Sequence, residues 1–286
     1  MSQEKKPYLT GCPVGCDAGT EITNVVLPEG PLLRCKACGQ YFSQCDEEWY
    51  WRSMERFDDP QGTLPNARSI ARRFRRSKQF LDRIATHLAV TPPDIRLLDV
   101  GCSSGAFLRS AVELGYRAEG VEPAPQAVET AAAAGLNVRC GLLQDIGYAD
   151  GQFDAITLLE VIEHLKDPVN LLRECHRILR PGGIMMIGTG NADSWSMAAM
   201  GARWEYLHID RLGGHISFYS PHSMQVLAGK TGFQVVGVHT RGVRFYEKGD
   251  CGNLTYRLAK IAGELLNPLA VALNKGHDMA VYLRRD

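Results

Sequence analysis

The stretch from Ile95 to Ala106 constrains the fold of this chain more than any other. Ile95-Arg-Leu-Leu-Asp-Val100 follows Pro92-Pro93 and is apolar enough to be a strand buried on both faces. It runs straight into Gly101-Cys102-Ser103-Ser104-Gly105, and a helix begins near Ala106. A strand, a glycine-rich turn and a helix make the opening unit of a nucleotide-binding sheet. Gly101 permits a turn that a side chain would block, and Gly105 lets the helix start lie close to the strand. The alternation continues with strands over 117–121, 136–140, 153–159 and 184–188, and helices over 125–134 and 168–179. Gly232–His239 and Met279–Leu283 supply the last two strands, with an amphipathic helix over 254–273 between them. Such alternation predicts an α/β fold, a Rossmann-like doubly wound sheet with helices on both faces.

The turn also narrows the ligand. A dinucleotide fingerprint requires Gly-x-Gly-x-x-Gly, and this chain has Gly-x-x-x-Gly with Ser103 between. Asp99 ends the first strand and would repel a pyrophosphate. A sulfonium amino acid carries no phosphate, and its ammonium group favours a nearby carboxylate. The second strand ends at Glu122, placed to accept hydrogen bonds from two ribose hydroxyls. Asp99, Gly101, Gly105 and Glu122 together select a cationic nucleoside.

Seven segments, in this order, carry a family resemblance: Leu97–Gly105, Gly120-Val-Glu-Pro123, Gln144-Asp145, Phe153-Asp-Ala-Ile156, Glu160-Val-Ile-Glu-His-Leu165, Leu179-Arg-Pro-Gly-Gly183 and Gly232-Phe-Gln-Val-Val236. In order and spacing they resemble the class I S-adenosylmethionine (SAM)-dependent methyltransferases, over about residues 70–286. The resemblance implies a seven-stranded mixed sheet with the last strand antiparallel, and SAM as cofactor. The family usually has Gly where Ser103 stands. Cofactor residues carried over by motif are Asp99, Gly101, Cys102, Ser103, Gly105, Glu122, Pro123, Gln144, Asp145, Ile146, Leu159 and Glu160. Asp145 would lie near the adenine amino group, and Leu142, Leu143 and Ile146 near its ring.

The first 45 residues hold five of the nine cysteines. Cys12 and Cys16 form one close pair and Cys35 and Cys38 another, the spacing of a zinc ribbon whose turns aim two thiolates inward. Four thiolates leave no open position, so this Zn2+ would be structural. Cys45 is an alternative ligand. Ile22 to Leu33 reads as a hairpin turning at Pro28-Glu-Gly-Pro31. Three units follow: a zinc-ribbon-like domain over 1–48, a connector and capping helix over 49–90, and the methyltransferase domain over 91–286. The connector, with Pro60, Gly62 and Pro65, reads as a loop with some aromatic packing before a helix over 67–89.

After the fourth strand, Glu160, Glu163 and His164 would share one face of a helix begun near 160. With His215 they form a candidate site for a divalent ion, which resembles that of small-RNA 3′-end 2′-O-methyltransferases. The same string in other relatives only shapes the pocket. The irregular, aromatic- and histidine-rich stretch over 190–222 is the candidate acceptor pocket. Should a hydroxyl acceptor need a general base, the candidates are His215, then His164, then His208.

Lys plus Arg and Asp plus Glu are both 32, so the net charge is zero, which argues against a basic nucleic-acid coat. No stretch is apolar enough to span a membrane, and the N-terminus lacks a signal-peptide core. The expected setting is cytoplasmic. The leading expectation is O-methylation of a small molecule, a sugar, quinol-like or secondary-metabolite hydroxyl. The alternative is an RNA methyltransferase that uses the ribbon and the Arg68–Arg83 helix to bind RNA. That helix also reads as a packing helix with a solvated basic face. A third reading is a non-catalytic protein that recruits a partner.

Overall fold

The computed structural model describes residues 6–55, 67–247 and 249–286. Pro60, Gly62 and Pro65 of the expected connector, and the side chains of Arg68 and Ile70, lie outside the described residues. The N-terminal segment forms β1 (Thr20–Leu27), β2 (Gly30–Cys35), β3 (Tyr41–Phe42) and α1 (Glu47–Glu55). Then come α2 (Ala67–Leu88), β4 (Arg96–Val100), α3 (Ala106–Glu113), β5 (Arg117–Glu122), α4 (Pro125–Ala133), β6 (Val138–Cys140) and the short α5 (Leu143–Ile146). Next are β7 (Phe153–Leu159), α6 (Pro168–Ile178), β8 (Leu179–Gly190), α7 (Trp195–Met200), α8 (Ile209–Leu212) and β9 (Ser217–Phe218). The chain ends with α9 (Pro221–Lys230), β10 (Phe233–Arg241), α10 (Asn253–Ala272) and β11 (Asp278–Arg285).

The large sheet runs β10-β11-β8-β7-β4-β5-β6. β11 is antiparallel to both neighbours, while the pairs from β8 through β6 are parallel. Its central strands are buried on both faces, as their continuous apolar runs require. One face packs on Leu171, Leu172, Cys175 and Ile178 of α6, the other on Phe80, Leu81 and Ile84 of α2. Local chemistry sets the helix starts. The Asp167 side chain accepts from Asn170 N at 3.0 Å ahead of Pro168, and Ser220 and Ser223 form a reciprocal capping box ahead of α9.

Three local expectations change. Residues 47–55, read as loop, are helical, because Asp46 Oδ1 accepts from Trp49 N at 2.8 Å and Glu47 and Glu48 suit a first turn. Pro181–Gly183 does not separate a helix from a strand but bends one long strand, whose pairing jumps from Phe153–Leu179 to Ala155–Ile184. Glu160 begins no α-helix; only Ile162–His164 makes a 3₁₀ turn.

The N-terminal segment does not stand apart. Its sheet, β1-β2-β3-β9, takes its fourth strand from the region after β8. Phe42, 1% exposed, lies in a cluster with Leu9, Cys45, Tyr50, Ile209 and Ile216. A shared core makes the two regions one cooperative unit. Phe42→Ala is therefore expected to lower stability by about 3–5 kcal/mol. Calorimetry should record this as a lower Tm of a single transition, not as the loss of a separate N-terminal one.

Candidate active site

The cofactor-type notch is built at the carboxyl ends of β4, β5 and β7. Gly105 starts α3 in the left-handed region at φ 81°, where a Cβ would sit 2.3 Å from Leu136 Cδ1. Ser103 adopts φ 48°, a conformation a side chain rarely takes. Its backbone N–H donates to Glu122 Oε2 at 2.9 Å, and Ala124 N donates to Oε1 at 3.0 Å. The Glu122 carboxylate thus ties the two turns that flank the notch together. Asp99 is buried and accepts from Thr157 Oγ1 at 2.7 Å. Burial raises its pKa to about 7, although the Thr157 hydroxyl pulls the other way.

Cys102 Sγ lies against Gly120, which closes the floor of the turn. Pro123 separates Glu122 from α4. Gln144 and Asp145 are exposed on α5 and Ile146 is half-buried beside Gly141, whereas Leu143 turns into the core. The apolar surface facing outward there is Leu142 and Ile146.

Beyond β7 the structure brings together Glu163, His164 and His215. One ligand atom from each lies within 4.8 Å of the others. His215 Nε2 is 3.9 Å from Glu163 Oε1, and the two imidazoles meet edge to face at 4.6 Å. Neither Glu163 oxygen, nor His164 Nδ1, has a well-formed hydrogen bond among the described residues, although all three atoms are buried. Burial pushes the histidines down, His164 to about 4 and His215 to about 3, so both are neutral imidazoles near pH 7. Burial, with Glu160 beside it, pushes Glu163 well above the usual carboxylate range.

Glu160 and His208 stay outside this trio. Glu160, at φ 54°, turns its carboxylate to Tyr206 Oη, 3.4 Å away. His208 precedes α8, on the side of Glu29 in the β1–β2 turn. Sequence reading missed Thr157, Asp278, Arg76 and Arg241. Tyr206 Oη also reaches Asp278 Oδ1 at 3.3 Å, and Asp278 Oδ2 meets Arg241 at 3.2 Å and Arg76 at 3.5 Å. The one available signal was Asp278, an acid opening an antiparallel strand and therefore lying at the sheet edge where parallel strands end. On the basic face of α2, Arg76 is engaged by Asp278 and Lys78 by Asp82.

The sulfurs of Cys12, Cys16, Cys35 and Cys38 also gather, one ligand atom each within 4.8 Å. Gly15 N donates to Cys12 O at 2.9 Å and Gly39 N to Cys35 O at 3.0 Å, closing a tight turn at each pair. Cys12 and Cys38 sulfurs are 3.5 Å apart, and this contact lowers the Cys12 thiol to about 5. Cys45 lies in a different cluster, with its thiol raised by burial to about 11.

The family described as a methyltransferase domain matches residues 70–238. Two relatives are named ubiquinone biosynthesis O-methyltransferase. That of Cereibacter sphaeroides is 32% identical over 50% of this chain and 61% of its own length. That of Xanthomonas campestris is 31% identical over 43% and 55%. The chain thus spans little more than half the length of these relatives. A SAM-dependent methyltransferase of Archaeoglobus fulgidus superposes with a TM-score of 0.52 at 19% identity, over 74% of this chain and 94% of its own. Among the described residues no helix is long and apolar enough to cross a membrane. The matched span includes the notch and the β7 edge, so the chain belongs to the SAM-dependent methyltransferase family, with the class I fold.

Proposed function

We propose that the chain transfers the methyl group of SAM to an oxygen of a small acceptor, foremost a quinol-like hydroxyl, with sugar and secondary-metabolite hydroxyls as the same chemistry. The observation that carries this reading is the buried Glu163–His164–His215 trio next to the notch. The named activity of the relatives supports it. SAM supplies an electrophilic methyl group on a sulfonium, which an acceptor must approach in line. The chain's own residues then bind and orient. Asp99 faces the amine, Glu122 takes the ribose hydroxyls, and Gln144, Asp145 and Ile146 hold the adenine. Leu159 and Glu160 lie at the edge facing the acceptor. Holding reactants in place is worth roughly 7–11 kcal/mol in well-oriented intramolecular reactions.

The trio fits a divalent cation. Two neutral imidazoles and one buried carboxylate, whose oxygens make no well-formed hydrogen bond among the described residues, form a donor set common at catalytic zinc. A cation there would lower the pKa of a bound hydroxyl and leave both histidines as ligands. A base with pKa near 3 is poorly matched to neutral pH, so His215 acts better as ligand than as general base. The four-cysteine cluster fits a separate, structural zinc: tetrahedral Zn–S bonds of about 2.3 Å place sulfurs roughly 3.8 Å apart, close to the Cys12–Cys38 spacing of 3.5 Å.

Three outcomes are expected. Metal analysis should find about two ions per chain, one lost in Cys35→Ser and the other in Glu163→Gln; retention of both in either variant contradicts the assignment. Cofactor affinity should rise with pH. Below about 7 the free Asp99 is largely protonated, and the cationic amine binds its ionised form. Affinity should therefore climb toward tenfold per pH unit on the acid side and level above 7. Calorimetry at pH 6.0 to 7.5 should detect proton release on binding, abolished in Asp99→Asn. Labelled SAM with a hydroquinone acceptor should yield a labelled aryl ether, and His215→Ala should slow it about 100-fold or more while S-adenosylhomocysteine affinity holds. Label recovered in a parallel RNA pool, with none in the hydroquinone, would favour the RNA reading.

A further inference from the structure

Helix α10 carries two apolar faces, and the fold covers one. Tyr256, Ala259, Gly263, Asn267 and Ala270 recur at three- and four-residue steps and, with Ala262, are its less exposed positions. Gly263 passes so close to the loop after β10 that a Cβ there would lie 2.3 Å from Val243 O, and Asn267 Oδ1 accepts from Gly242 N at 2.7 Å. On the opposite face stand Leu254, Leu258, Ile261 and Leu265, exposed by 72%, 59%, 54% and 77%. Leu269 and Leu273 extend this face past Pro268 and are more than half exposed. A continuous aliphatic stripe left in water marks an interaction surface.

The spacing and flanks of the stripe indicate its occupant. Steps of four, three and four residues are the a/d seam of a helix pair. The charged residues bordering it, Arg257 and Glu264, stand on one flank, and the other flank carries the small Thr255 and Ala262. A helix lying in a lipid surface has a strongly charged polar face rich in Lys and Arg. Here the charged flank holds both signs, which suits a protein partner. In a parallel pair Arg257 would face Ala262. In an antiparallel pair centred between Ala259 and Lys260, Leu254 meets the partner's Leu265 and Leu258 meets the partner's Ile261. Arg257 then faces the partner's Glu264 on both sides of the axis. Within one chain Glu264 has only a loose 3.7 Å contact with Lys260, both side chains about two-thirds exposed.

We infer that α10 is the seam of a two-fold antiparallel homodimer. The pairing would set two copies side by side along the edge where β10 ends and β11 begins, next to Arg241 and Asp278. The full chain tests this by sedimentation velocity over a concentration series. A species of twice 31.6 kDa is expected. Ile261→Glu should give monomer while S-adenosylhomocysteine binding and Tm hold, showing that the fold survives. Arg257→Glu and Glu264→Arg should each weaken the dimer by about tenfold or more, and the double swap should restore it to within about threefold of wild type. A wild-type monomer at tens of micromolar overturns the inference, as does a double swap that fails to rescue. A monomer that floats with phosphatidylglycerol vesicles would assign the stripe to lipid and also overturn it.

Discussion

The carboxylate of Glu122 is the contact on which the site depends. It accepts one N–H from Ser103 and another from Ala124, and so locks the turn after β4 to the turn after β5. Charge-assisted hydrogen bonds to backbone amides are among the stronger neutral-pH contacts a protein can make. This pair offsets the strain of Ser103, which sits in a left-handed conformation where glycine would be at ease. The serine is tolerated because its N–H has a charged partner. The same carboxylate retains further lone pairs, so in the proposed function one side chain both shapes the notch and takes the ribose hydroxyls.

A second network ties the N-terminal segment to the chemistry. Ser43 N donates to Ile216 O and Ile216 N to Glu163 O, so the segment from His215 into β9 is held between the small sheet and the turn after β7. Tyr50 Oη donates to His164 O at 2.9 Å, and Gly214 N donates to Ser53 Oγ at 2.8 Å. Each member of the trio, or its immediate neighbour, is therefore fixed by a residue from 43–53. The cysteine cluster anchors the other end of that sheet, with Val14 between its first pair fully buried in the main core. The N-terminal segment thus braces the buried polar cluster through backbone and side-chain hydrogen bonds.

Much of this was legible from the residues. Strand β7 matches its expected limits, β4, β5, α4, α6 and α10 fall within one or two residues of theirs, and α3 starts at the expected Ala106, because period and punctuation agree along those stretches. The cysteine quartet was readable because two close pairs leave few alternatives. The expected helix at Glu160 failed for a physical reason: the residue takes a positive φ that ends the strand and allows only a 3₁₀ turn. Glu163, His164 and His215 still converge, with Glu160 beside Glu163 but not among the three. The pairing of Tyr41–Phe42 with Ser217–Phe218 was beyond reach, since two-residue strands far apart carry no periodicity. Arg76 and Arg241 were hidden likewise, as their meeting with Asp278 depends on tertiary placement.

The positions of the ionisable groups divide the edge into two zones of different polarity. On one side Glu163 and His215 are buried and His164 half-buried, the imidazoles held neutral and the carboxyl raised. On the other, two guanidinium groups share the single Asp278 carboxylate, with Tyr206 joining that carboxylate to Glu160. Glu160, exposed at the end of β7 and within reach of Tyr206, stands at the boundary. Tyr206 spans the two zones: its hydroxyl lies within reach of both Glu160 and Asp278, and its ring stacks on His215 with centroids 5.6 Å apart.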